Sequence, residues 1–113
     1  MRDVVNCHCT MCRRVGFVAN VGVRRGDFVL LASATLKVYP SSATVRRSFC
    51  GECGAQIYWD PLRQDFVVIA AGTLDQPTGI KTVAHIYVAN KPDYYDVNDG
   101  LPVHLGPMFE QEG

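Results

Sequence analysis

The sequence has no apolar run approaching the roughly 18 residues of a membrane span, so no transmembrane helix is expected. Its opening, MRDVVNCHC, has neither a long apolar region nor a small-residue cleavage site. No signal peptide is read there, and the cytoplasm is the expected compartment. There is no excess of either charge: 11 basic residues balance 11 acidic ones. That balance argues against a nucleic-acid partner, which needs a basic footprint, and equally against an acidic one. No P-loop, no G-x-G-x-x-G and no G-x-S-x-G occurs. The phosphate-cradling and nucleophile-elbow classes are therefore excluded. Internal repeats, low-complexity tracts and domain linkers are also missing, and no long stretch has a 3.6-residue period.

What remains is a chain of 113 residues, the size of one domain spanning 1–113. Its apolar residues fall in short runs rich in β-branched and aromatic types: FVANVGV (17–23), FVLLAS (28–33), LKVYP (36–40), AQIYW (55–59), FVVIAAG (66–72) and AHIYVAN (84–90). Gly, Pro, Asp, Asn or Ser separates most of them. The spacing predicts a mainly β domain of antiparallel sheets with little helix. The best helical candidate is short, Thr10 to Val15, with Gly16 as its C-terminal stop. From Pro92 the chain is rich in turn residues and reads as a loop that packs through Tyr94, Tyr95 and Leu101.

Five cysteines in a reducing compartment are expected to be thiols, and clustered thiols there are more often ligands than disulfides. Cys7, Cys9 and Cys12 form C-x-C-x-x-C. Three protein ligands with one open position is the pattern of a catalytic zinc site. Three thiolates leave such a centre negative and weakly Lewis-acidic. It is ill-suited to making hydroxide and better suited to holding an incoming thiol as a nucleophilic thiolate. The chemistry this points to is thiolate addition to a carbonyl, or its reversal.

Cys50 and Cys53 form a second motif, C-G-x-C-G. A tight turn brings two sulfurs onto one metal, and Gly51 and Gly54 can take positive φ so that backbone N–H groups face the thiolates. One zinc ribbon built from Cys9, Cys12, Cys50 and Cys53 is the simplest alternative. It leaves Cys7 unused, and the gap from Cys12 to Cys50 exceeds the roughly 15–20 residues of common ribbons. A ribbon of that kind would be a non-catalytic module binding a protein partner. A thioredoxin-like domain needs helices in βαβ units, which this sequence lacks.

Taken in order, CHCTMCRR, FCGECGAQIYW, AAGTLDQP and HIYVANKPDYYDVNDGLP resemble the glutathione-dependent formaldehyde-activating (CENP-V/GFA domain) family from Cys7 to about Pro102. The resemblance implies an Mss4-like β fold. It implies a carbon–sulfur lyase activity that joins glutathione, as co-substrate, to formaldehyde and forms S-hydroxymethylglutathione. It also implies that Cys7, Cys9 and Cys12 hold the catalytic zinc, and that Cys50 and Cys53 are half of a structural zinc site. The other half in the family is a further C-x-C upstream, and only Met1 to Asn6 precede Cys7 here. Cys50 and Cys53 would then belong to a shortened member, sharing a metal with two of the first three cysteines or staying metal-free, or to a chain whose start lies upstream. One or two zinc ions are expected. An absent upstream strand would leave a sheet edge open, which favours a homodimer.

The remaining candidates are weighed against ordinary structural roles. Glutathione carries two carboxylates, and arginine pairs with carboxylates bidentately. Arg13 and Arg14, directly after the triplet, are the candidate binding pair; Arg46 and Arg47 are weaker ones. His8 would point away from its neighbours' sulfurs if the segment is extended, and a polar surface role is expected for it. His85 is expected to be a satisfied, half-buried strand residue, and His104 to have no site role. Tyr58 and Trp59 are expected to pack, and Asp75 and Asp99 to form turns. The partners this reading implies are a small-molecule thiol and an aldehyde.

Overall fold

The computed structural model describes residues 3–108. Seven strands form one mixed sheet: β1 (Val4–Cys7), β2 (Val18–Arg24), β3 (Leu36–Pro40), β4 (Val45–Cys50), β5 (Gln56–Pro61), β6 (Phe66–Ala70) and β7 (Thr82–Ile86). Their order in space is β3-β4-β5-β6-β2-β1-β7. The mainly β expectation holds, and the helical segments among the described residues are single 3₁₀ turns. The expected helix at Thr10 to Val15 is one of these, Cys12–Val15, and Gly16 closes it at φ 95.

Pairing is mainly antiparallel, as expected, with β7 running parallel to β1 as the exception among the named strands. The chain leaves β6, crosses past β2 and β1, and re-enters the sheet in the direction of β6. A parallel return of that kind needs a long connection, which residues 71–81 supply. One expectation needs correction: the FVLLAS run is not a strand. The segment after β2 must travel past β6, β5 and β4 to reach β3 at the far edge. The registers put the end of β2 and the start of β3 at opposite ends of the strands, so the segment crosses the sheet obliquely, with Val29 and Leu31 exposed and Phe28 packed against Tyr58 within β5, ring centroids 4.9 Å apart.

Strand alternation sorts the side chains onto two faces. Val21 and Val67 are fully buried on one face, with Val4 beside Val21 in the β1–β2 register. Val5 and Cys7, Asn20 and Gly22, and Phe66 and Val68 line a cleft of about 1210 Å³ on the other. Arg25, in the 3₁₀ turn after β2, clamps the far end of the sheet. Its guanidinium pairs with Asp60 at 2.7 Å and donates to the carbonyls of Gln64, Pro61 and Phe66.

Candidate metal centre

β1 ends at Cys7, but the backbone keeps its partner one residue further: the His8 N–H donates to the Ile86 carbonyl at 3.0 Å. Cys7 and Cys9 thus leave an extended segment on the same side. The chain then turns back, with the Arg13 N–H on the Cys9 carbonyl at 2.8 Å and the Gly16 N–H on the Arg13 carbonyl at 3.0 Å. This turn carries Cys12 back to the first two cysteines. The three sulfurs lie within 4.8 Å of one another, and among the described residues no fourth His, Cys, Asp or Glu joins them. Two sulfurs each ~2.3 Å from a tetrahedral zinc stand roughly 3.8 Å apart, so the donor set fits that ion.

Cys7 and Cys12 are buried, while Cys9 is part-exposed. Hydrogen bonding among the three thiols favours the negative form at Cys9. Hydrogen bonds from the Cys12 and Cys7 thiols hold Cys9 well below the usual thiol range, helped by the backbone N–H of Cys12 at 3.4 Å. The same sharing raises Cys12. Cys7 is pushed up to about 11, where hydrogen bonding to Cys9 and burial outweigh the larger, opposing hydrogen bond with Cys12.

Cys50 and Cys53 stand outside this group. Three strands separate β4 from β1 in the sheet order, so the structure does not bring the four sulfurs of the shared ribbon together. The pair does make the expected knuckle. Gly54 sits at φ 80, with its N–H on the Cys50 carbonyl at 2.7 Å. Gly51 does not adopt positive φ. A Cβ there would stand 2.7 Å from a Lys37 side-chain carbon, so its small size makes room for that stem. Backbone N–H groups of Cys53 and Glu52, then the Thr35 hydroxyl and the Cys53 thiol, pull Cys50 down to about 7. Cys53 is exposed.

Two parts of the site were not legible from the sequence. Tyr87, directly after β7, lines the cleft together with the triplet. Its backbone is left-handed at φ 56 and ψ 33, a conformation that costs a non-glycine residue about 1 kcal/mol. Burial, and then the neighbouring Cys7 and Cys9, keeps its phenol above the ordinary tyrosine range, so it is a neutral hydrogen-bond donor.

The second missed part lies behind the triplet. His8 is not a surface residue: it is 1% exposed, because its alternation away from the sulfurs drives it into the opposite side of the sheet. Its Nε2 lies 3.0 Å from His85 Nδ1, and its Nδ1 lies against the Tyr95 hydroxyl. His85 Nε2 is 2.8 Å from Asp99 Oδ2, and the Tyr95 hydroxyl donates to the Gly16 carbonyl at 3.1 Å. Burial, then the neighbouring His85 and Lys91, lowers the His8 pKa and keeps its ring neutral. Asp99, expected only as a turn former, does accept the Leu101 N–H at 3.1 Å, but its other oxygen meets His85. His85 is satisfied, as expected, but buried rather than half-buried.

The arginines divide. Arg14, Arg47 and Lys37 line the cleft. Arg13 turns away and donates to the Asn90 carbonyl at 3.2 Å, and Arg46 donates to the carbonyls of Ser42 and Val45. Arg47 is steadied by the Ser41 hydroxyl at 3.1 Å. Tyr58 and Trp59 form part of the cleft wall.

A seven-stranded mixed β-sheet with a three-cysteine group able to hold a metal in the lining of a cleft defines the class of this protein. The chain belongs to the glutathione-dependent formaldehyde-activating enzyme family, whose model matches residues 2–90. No curated protein matches the chain. No helix among the described residues is long and apolar enough to cross a membrane.

Proposed function

We propose that the protein is a zinc-dependent carbon–sulfur lyase that adds the glutathione thiol to formaldehyde, and reverses that addition. The observation that carries this reading is the convergence of Cys7, Cys9 and Cys12 within 4.8 Å at the cleft, in a chain of this family. A zinc ion on these sulfurs would favour the thiolate form of an incoming thiol at neutral pH.

The chain's own residues supply the rest. The cleft, at about 1210 Å³, is far larger than formaldehyde requires and has room for a tripeptide thiol. Arg14, Arg47 and Lys37 present cations to its two carboxylates. This shifts the binding role from the pair Arg13 and Arg14 to Arg14 and Arg47. As the thiolate sulfur bonds to the carbonyl carbon, the C=O π electrons move onto oxygen. Tyr87 stands on the same cleft wall as a neutral phenol that hydrogen-bonds to this oxygen and passes it a proton. The proton lost by the thiol returns to Tyr87 through solvent. Atoms balance without any oxidant or reductant.

The test follows adduct formation from glutathione and formaldehyde by NMR exchange with zinc-loaded protein. The expected result is acceleration above the spontaneous rate that is lost in Cys12→Ser. A rate equal to the spontaneous one at every protein concentration would overturn the proposal. The ribbon reading is tested alongside it: Cys7→Ser lowers metal content if the triplet is the site and leaves it intact if the ribbon is.

A further inference from the structure

We propose that Tyr95 and Asp99, in the segment that follows β7, are positioning residues that hold the three cysteines in ligand geometry through His8 and His85. This inference rests on the metal reading of the triplet. It concerns residues beyond position 90, outside the stretch that the family model matches.

The placement of His8 is the starting point. It lies between two ligand residues, so the rotation of its ring and the direction of the Cys7 and Cys9 sulfurs are set by the same short stretch of backbone. Both of its ring nitrogens are engaged, one by Tyr95 and one by His85. The ring also packs against Phe17 and Tyr95, with centroids 5.2 Å and 5.6 Å away. A ring held on both nitrogens and by its packed neighbours anchors the stretch of backbone from which the cysteines on either side project.

Tyr95 extends this hold to the third ligand. Its hydroxyl meets His8 on one side and donates to the Gly16 carbonyl on the other. Gly16 closes the 3₁₀ turn that carries Cys12. One hydroxyl thus links the Cys7–Cys9 segment to the end of the Cys12 turn. Asp99 completes the support by fixing the far nitrogen of His85. The segment bearing both residues is itself tied to the sheet: the His85 N–H donates to the Pro102 carbonyl at 3.0 Å, the His104 N–H to the His85 carbonyl at 2.9 Å and the Tyr87 N–H to the Gly106 carbonyl at 2.9 Å. These contacts make the segment a buttress behind the metal ligands. Outer partners of metal ligands typically govern affinity by ~10- to 100-fold.

The experiment uses Co²⁺ as the probe on the full chain. Thiolate-to-cobalt charge-transfer bands report ligation, d–d bands report tetrahedral geometry, and chelator competition gives affinity. Wild type is expected to bind Co²⁺ tetrahedrally. Tyr95→Phe, which keeps the ring but removes the hydroxyl, is expected to bind at least ~10-fold more weakly with altered d–d bands. Asp99→Ala should behave similarly. Asp99→Asn, which keeps an acceptor oxygen at a half-exposed position, should restore most of the affinity and the spectrum, and it guards against a folding artefact. Wild-type affinity and spectra in both Tyr95→Phe and Asp99→Ala would overturn the inference while leaving the metal reading standing. Absence of a tetrahedral cobalt spectrum in wild type would overturn the metal reading and this inference with it.

Discussion

At the residue scale, the chemistry lies in a few side chains whose roles depend on which face of the sheet they occupy. Cys7, Cys9 and Cys12 were legible because thiol spacing limits what a short turn can bring together. His8 was only half legible. Alternation correctly sends it away from the sulfurs, but the sequence does not say that Tyr95 and Asp99, from a turn-rich tail, cover that side. Tyr87 was hidden inside an apolar run that reads as strand packing; its left-handed backbone is what turns it out of the strand pattern. If its phenol serves the carbonyl oxygen, Tyr87→Phe should lower kcat/KM on the order of 10²-fold, with metal content and cobalt spectrum unchanged. Kinetics above background together with metal analysis would check this. An unaltered rate would remove Tyr87 from the mechanism.

At the element scale, the site is made where β1 gives way to the Cys12 turn and where β7 lies parallel beside it. The strand at β4 escaped the apolar-run reading because VRRSFC carries two adjacent arginines. It holds nonetheless in the sheet interior, between β3 and β5, with Arg46 and Arg47 bonded to Ser42 and Ser41. FVLLAS was misread for the opposite reason. Its composition suits a strand, but a strand needs a partner edge, and the crossing from β2 to β3 spans three strands already paired with one another, from one end of them to the other. Arg25 secures the start of that crossing. Arg25→Ala removes one donor from Asp60 and from each of three carbonyls, of which Pro61 keeps the Gln64 N–H, and should cost about 2 kcal/mol. Most of that comes from the carbonyl bonds, since the ion pair is partly exposed. Urea unfolding should show a lower midpoint at unchanged slope. A loss under ~0.5 kcal/mol would mean that the clamp is not holding the sheet end.

At the scale of the whole molecule, the core and the candidate metal centre are one object. The buried apolar residues among those described include Val4, Cys7, Cys12, Val21, Val45, Val67 and Ala84, and two of these seven, Cys7 and Cys12, belong to the triplet that could hold a metal. So small a core gains stability from anything that binds only the folded state. A metal present at ~100 times its dissociation constant adds about 2.7 kcal/mol, which for a chain of this size moves the thermal midpoint by on the order of 10 °C. Chelation followed by scanning calorimetry should show that drop, and zinc should restore it. A midpoint indifferent to chelation would place the metal, if any, outside the folded core. The central claim, three protein thiolates with a fourth position for the substrate thiol, is tested most directly by X-ray absorption at the zinc edge with and without glutathione. The account predicts three sulfur neighbours at ~2.3 Å in the zinc-loaded protein and four once glutathione is added. Four sulfurs before glutathione is added, or three that do not change on adding it, would contradict it.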